Sequence, residues 1–156
     1  HKNPGPWRIN MLAFGEQLPN PENRVTLHES KRDRWGNPLA LLNVTYSDNE
    51  RTMQAEAIKD AVAMLAAAGC TNIVTNDASL SKPGNRIHEM GSARMGHDPA
   101  DSVLNGWCQA HDVPNLFVTD GSFMTSSACQ NPSLTYMAFS ARAAHYAADL
   151  IADGTL

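Results

Sequence analysis

The sequence predicts an α+β chain, with an antiparallel sheet first and helices behind it. Three observations carry that expectation. Over residues 1–50, apolar stretches alternate with turn-forming clusters. Segments 47–69 and 132–152 repeat apolar residues at the three- and four-residue spacing of a helix. Between them, residues 76–114 are dense in glycine, proline, asparagine and histidine and show little period. A long irregular stretch inside a compact chain is uncommon and usually functional.

Ile9 to Leu18 is a mostly apolar run, read as a first strand, and Pro19-Asn20-Pro21-Glu22-Asn23 turns the chain. Arg24 to His28 alternates, with Val25 and Leu27 on one face. The charged Lys31-Arg32-Asp33-Arg34 leads into the turn Gly36-Asn37-Pro38, and Leu39 to Tyr46 is the returning strand. Ser47 or Asp48 can cap the following helix, whose apolar positions are Met53, Ala57, Ile58, Ala61, Met64, Leu65 and Ala68, with Gly69 as its stop. Asn72-Ile73-Val74-Thr75 is a short strand candidate, and Leu116 to Asp120 a short buried one. The closing helix is expected from Pro132 to about Ala152, with Asn131 as its N-cap and with Leu134, Met137, Ala138, Ala141, His145, Ala148 and Ile151 along one side. The shift in composition near Lys82-Pro83-Gly84 divides the chain into residues 1–80 and 81–156.

The composition narrows the function classes. Of 156 residues 42% are hydrophobic, enough for a core, and 12 basic against 16 acidic side chains give a net charge of −4. Without a basic stripe, nucleic acid is a poor partner. No apolar run approaches the ~20 residues of a membrane span. Cys70, Cys108 and Cys129 are odd in number and widely spaced, which suits buried or incidental thiols better than a disulfide framework.

The chemistry-bearing residues lie in the second half. His88 heads the segment His88-Glu89-Met90-Gly91-Ser92-Ala93-Arg94-Met95-Gly96. A lone loop histidine is most often a hydrogen-bonded structural residue, but a neutral imidazole also accepts a proton near neutral pH. Gly91 and Gly96 bracket it in a segment suited to close backbone approach, which marks it as a candidate base. Asn131 carries an amide that can fix a substrate oxygen but cannot serve as a base. Pro132 opens a helix whose N-terminus carries about half a positive charge and favours a group that becomes negative. Asp120-Gly121-Ser122 follows the short strand, where α/β proteins bring backbone to ligands. A serine nucleophile at Ser122, Ser126 or Ser127 lacks the G-x-S-x-G elbow. A metal site drawn from His88, His97, Asp98, Asp101, His111 and Asp112 lacks tight ligand spacing, so no metal is expected.

Together these blocks resemble the C-terminal region of the glucose–methanol–choline (GMC) family of FAD-dependent oxidoreductases, and within it the bacterial sugar dehydrogenases. The matching stretches are His88 to Gly96, then Asn115-Leu116-Phe117-Val118-Thr119-Asp120-Gly121-Ser122, then Asn131-Pro132-Ser133-Leu134-Thr135. Upstream, Pro21 to Leu27 and Trp35-Gly36-Asn37-Pro38 look like that family's substrate-domain strands. The resemblance implies part of an antiparallel substrate-domain sheet in residues 1–80. In residues 81–156 it implies the last strand and helix of a Rossmann-like FAD-binding domain. It implies His88 as base and Asn131 as its partner. Asp120 and Gly121 would lie beside the FAD diphosphate and ribityl region, with Asn131, Pro132 and Thr135 beside the isoalloxazine. The reaction implied is oxidation of a sugar or other alcohol at CH–OH, with hydride passing to flavin N5. Oxygen, a quinone, or a small subunit or cytochrome would accept the electrons, and the sequence leaves these open.

One departure bears on all of this. The family holds the adenine half of FAD through a G-x-G-x-x-G turn, and here no two glycines are spaced by one residue. The chain, which starts at His1 without a signal pattern, therefore reads as the last third or so of a larger enzyme. An N-terminal FAD-binding portion is then the expected partner. The competing expectation is a non-catalytic binding or assembly module of the same fold.

Overall fold

A computed structural model describes residues 5–76, 83–84 and 87–156. Among the described residues the chain is α+β: a two-stranded antiparallel sheet, two helices and a 3₁₀ turn, in the order β1 (Arg24–Arg32), β2 (Pro38–Asn43), α1 (Asp48–Ala67), the 3₁₀ turn (Gly121–Phe123) and α2 (Ser133–Ala152). It divides into two compact units. One comprises His1–Gly15 and Tyr46–Leu80, the other Glu16–Thr45 and Ser81–Leu156.

In the first unit α1 forms as its sequence directs. Ser47 caps it in a capping box: its hydroxyl oxygen accepts the Asn49 N–H, and the Glu50 carboxylate accepts the Ser47 N–H at 2.7 Å. Met53, Ala57, Ile58, Ala61 and Leu65 form the half-buried face, while Met64 stays 62% exposed. Gly69 ends the helix, its N–H and that of Cys70 returning to the Ala66 and Leu65 carbonyls. The expected strand over Ile9–Leu18 does not form. Its large side chains remain exposed (Leu12 by 82%), and Gly15 lies so close to the Met53 side chain of α1 that a Cβ would overlap it. An apolar run becomes a strand only where a neighbour takes its backbone groups, and here residues 11–15 lie beside α1 instead. Residues 72–75 likewise form no strand: Val74 is 90% exposed, with no pairing segment among the described residues.

In the second unit β1 and β2 form the hairpin expected from the alternating pattern. Arg24 faces Asn43 and Leu27 faces Ala40, and an irregularity then shifts the register to Arg32 opposite Pro38. The turn is held by Asp33, whose carboxylate accepts the Trp35 and Asn37 N–H groups and the Asn37 amide. These bonds keep the Asp33 carboxyl below the usual carboxylate range. Charged Lys31 and Arg32, expected in the connection, belong to β1.

The core of this unit is small: Leu104, Cys108, Ala110, Phe123 and Ala143. The irregular stretch that supplies three of these five residues is tied by single bridges, Met95 to Leu104, Leu104 to Ala110 and Gln109 to Phe117. The expected strand over Leu116–Asp120 is reduced to that last bridge, and Leu116 is 47% exposed. Buried Cys108 lies against Met95, its thiol pushed up by burial and held back by the Arg142 guanidinium. Arg142 itself donates to the Gly106 carbonyl and covers the Phe139 ring at 4.4 Å.

The closing helix matches its expected extent but not its expected cap. Pro132 is the N-cap, since its carbonyl accepts the Tyr136 N–H at 3.0 Å, and no side chain caps the helix. A pyrrolidine ring offers no acceptor, and Asn131, one residue further out, is exposed and makes no hydrogen bond among the described residues. The predicted stripe does share one side, but that side is the exposed one: Leu134 by 79%, Met137 by 69%, Ile151 by 65%. Tyr136, Phe139, Ala143 and Tyr146 face the core instead.

Candidate functional site

The three sequence blocks converge through backbone and one side chain. The His88 segment runs beside the 3₁₀ turn: the Ala93 N–H donates to the Ser122 carbonyl at 3.1 Å and the Met95 N–H to the Phe123 carbonyl at 2.9 Å. Gly91, at φ +83, provides the left-handed bend between His88 and this pairing. Gly121 sits where a Cβ would lie 2.6 Å from the Tyr136 hydroxyl and 3.0 Å from Met90 Sδ, so any side chain there would displace them. Tyr136 Oη donates to Met90 Sδ at 3.4 Å. Met90 follows His88 by two residues, and Tyr136 lies in the first turn of α2 after Asn131-Pro132.

Asp120 caps the 3₁₀ turn. Its carboxylate accepts the Ser122 N–H at 2.9 Å and also the Ser122 hydroxyl, and these bonds hold it below the usual carboxylate range. Burial pushes the Tyr136 phenol up, and the nearby Asp120 charge adds to the effect. Tyr136 is therefore a neutral donor and Asp120 an anion near neutral pH. Ser140 Oγ donates to the Thr119 carbonyl, fixing the segment before Asp120 onto α2.

His88 is half-buried, Asn131 exposed, Pro132 buried and Thr135 half-buried. Among the described residues no hydrogen bond joins His88 to Asn131. What the structure brings together is their neighbourhoods, through Met90, Gly121 and Tyr136. Sequence reasoning missed Met90 and Tyr136 as the junction. An available signal was the spacing of Tyr136 four residues after Pro132, one helical turn, which puts an aromatic hydroxyl beside the motif.

An open depression of about 430 Å³ lies elsewhere in this unit. Met95, His97, Thr125, Phe139 and Arg142 are among its lining; none of the motif residues His88, Asp120, Gly121, Asn131, Pro132 or Thr135 borders it. Among the described residues no three His, Cys, Asp or Glu side chains gather as a metal would require. His111 Nε2 is instead paired with the Ser102 hydroxyl at 3.0 Å, and Ser102 donates to the Asp98 carbonyl. No helix is long and apolar enough to cross a membrane among the described residues.

The chain matches the family model described as GMC oxidoreductase over residues 19–140. It is 39% identical over 138 residues to 2-methyl-1,2-propanediol dehydrogenase of Mycolicibacterium austroafricanum, an alignment covering 88% of this chain and 25% of that protein. Fructose dehydrogenase large subunit of Gluconobacter japonicus is 35% identical, over 87% of this chain and 24% of its own length. Paromamine 6'-oxidase of Streptomyces fradiae is 34% identical, over 88% and 25% respectively. The chain thus spans about a quarter of the length of these curated relatives.

Proposed function

The chain belongs to the GMC oxidoreductase family, and we propose that it forms the substrate-facing C-terminal portion of an FAD-dependent oxidoreductase acting on the CH–OH group of a sugar or other alcohol. Residues 1–80 contribute to its substrate-binding domain and 81–156 close its FAD-binding domain with α2. The observation that carries the reading is the junction at Gly121, which gathers the His88 segment, the Asp120 turn and the start of α2.

The residues present fit FAD. The N-terminus of α2 has no side-chain cap and no acidic residue in its first turn, so its free N–H groups remain available to an electron-rich edge. Asp120, ionised, suits hydroxyl donors such as a ribityl chain better than a diphosphate of like charge. Pro132 and Thr135, in the same turn, would border the ring. When bound, the flavin supplies the two-electron acceptor for the hydride. His88 accepts the substrate hydroxyl proton on a ring nitrogen as the C–H bond breaks. The Asn131 amide donates to the same oxygen and orients the carbon. The exposed apolar side of α2 suits cover by the N-terminal FAD-binding portion. A relative named as a large subunit supports a partner subunit as the route for electrons.

His88→Ala in the flavin-loaded protein tests this. It is expected to slow flavin reduction by about 10²–10⁴-fold while FAD stays bound, read by single-turnover absorbance. An unchanged rate overturns the base assignment.

A further inference from the structure

Three segments that sequence separates meet at one side chain. Tyr136 Oη donates to Met90 Sδ at 3.4 Å, two residues beyond His88. The same oxygen stands over Gly121, 2.6 Å from where a Cβ would be. The Tyr136 backbone N–H donates to the Pro132 carbonyl at 3.0 Å, the first bond of α2, immediately after Asn131. The ring is braced from behind by Phe123, edge to face at 6.2 Å, and Phe123 is fully buried. A stiff side chain anchored in the core thus touches the His88 segment with its tip, the Asp120 turn with its edge and the Asn131 turn through its backbone.

We propose that Tyr136 is a positioning residue for the oxidation, setting the spacing between His88 and Asn131 across Gly121. The inference rests on the proposed function and deepens it. Tyr136 touches neither the substrate nor the flavin in this role. It acts through Met90, whose place along the chain fixes where the His88 backbone leaves the pairing with the 3₁₀ turn. The thioether is a weak acceptor, but it is flexible and polarizable and so follows the hydroxyl closely. Gly121 is the complementary half: any side chain there would displace the hydroxyl and open the same joint.

The test uses the flavin-loaded enzyme that carries this chain, with ¹³C-methyl methionine labelling. Tyr136→Phe is expected to shift the Met90 methyl resonance, assigned by Met90→Leu, and to lower the limiting rate of flavin reduction per bound flavin about fivefold, the loss of one neutral hydrogen bond. Flavin content and substrate half-saturation should hold. Gly121→Ala is expected to lower the same rate further, and adding Tyr136→Phe should recover part of that loss, because the phenol oxygen is the atom a Cβ meets first. A purely structural role would reduce folded or flavin-loaded protein and leave the per-flavin rate alone. A bound flavin with an unchanged methyl resonance and rate in Tyr136→Phe, or a pair of substitutions no better than Gly121→Ala alone, overturns the positioning role. An enzyme purified without flavin overturns the oxidoreductase reading itself, and the positioning role with it.

Discussion

The two helices are of equal length, 20 residues each, and begin in opposite ways. α1 seals its own N-terminus. Ser47 and Glu50 bind each other's free groups, Glu50 is almost wholly buried, and Asp48 adds a second acid to the first turn. α2 seals nothing. Its N-cap is a proline, no side chain accepts its first N–H groups, and its first turn holds no acid. A helix that only has to fold uses its local sequence to neutralise its positive end. One that leaves the end bare keeps that field for something else. In the proposed oxidoreductase, that something is the flavin edge.

The sharpest way to break this contrast is to give α2 what α1 already has. Asn131→Asp brings a carboxylate to the bare end and removes the amide donor. Flavin reduction should slow by about 100-fold, the scale of losing one oriented donor at a centre of developing charge. Folding stability should move the other way, rising by about 0.3 kcal/mol, because an anion near a helix N-terminus is favourable. Stopped-flow reduction and thermal unfolding of the same sample read both signs. A variant that keeps its rate would mean α2's start is as structural as α1's.

At α1 the expected result is reversed. Ser47→Ala removes the hydroxyl that accepts the Asn49 N–H and donates to Glu50, leaving that buried carboxylate with one bond fewer. Stability should fall by about 1 kcal/mol in denaturant titration. The reduction rate per bound flavin should not change.

How much of this was legible in the sequence follows from where the determining contacts lie. α1 could be read nearly complete, because its cap, stripe and glycine stop are local. The β1–β2 hairpin was legible for the same reason, its turn being closed by Asp33 and Asn37. The strands expected at Ile9–Leu18, 72–75 and 116–120 were not realised, since apolar composition cannot supply a neighbour. α2 shows a subtler failure. Apolar residues lie on both of its sides, so periodicity could find the stripe of Leu134, Met137 and Ile151 without revealing that Tyr136, Phe139 and Ala143 face the core. The candidate site divides along the same line. His88, Asp120, Gly121 and Asn131 stood out through neighbouring glycine and proline. The Tyr136–Met90 junction, 46 residues apart in sequence, left only the one-turn spacing of Tyr136 from Pro132 as a local sign, and nothing local pointed to Met90.

The smallest expected effect isolates the cap itself. Asn131 was expected to cap α2 by its position before proline, yet it is exposed and the Pro132 carbonyl takes the first helical bond. Replacing it with alanine removes no cap bond, so stability should change by less than about 0.5 kcal/mol, as for an ordinary surface site. Reduction should still slow, though less than with Asn131→Asp, because an amide donor is lost without an opposing charge arriving. The comparison with Ser47→Ala in one denaturant series then separates the two helix starts, since one substitution costs stability without rate and the other rate without stability. A stability loss in Asn131→Ala equal to that of Ser47→Ala would mean that Asn131 does bind the helix end in solution, and α2 would then be closed by its own sequence just as α1 is.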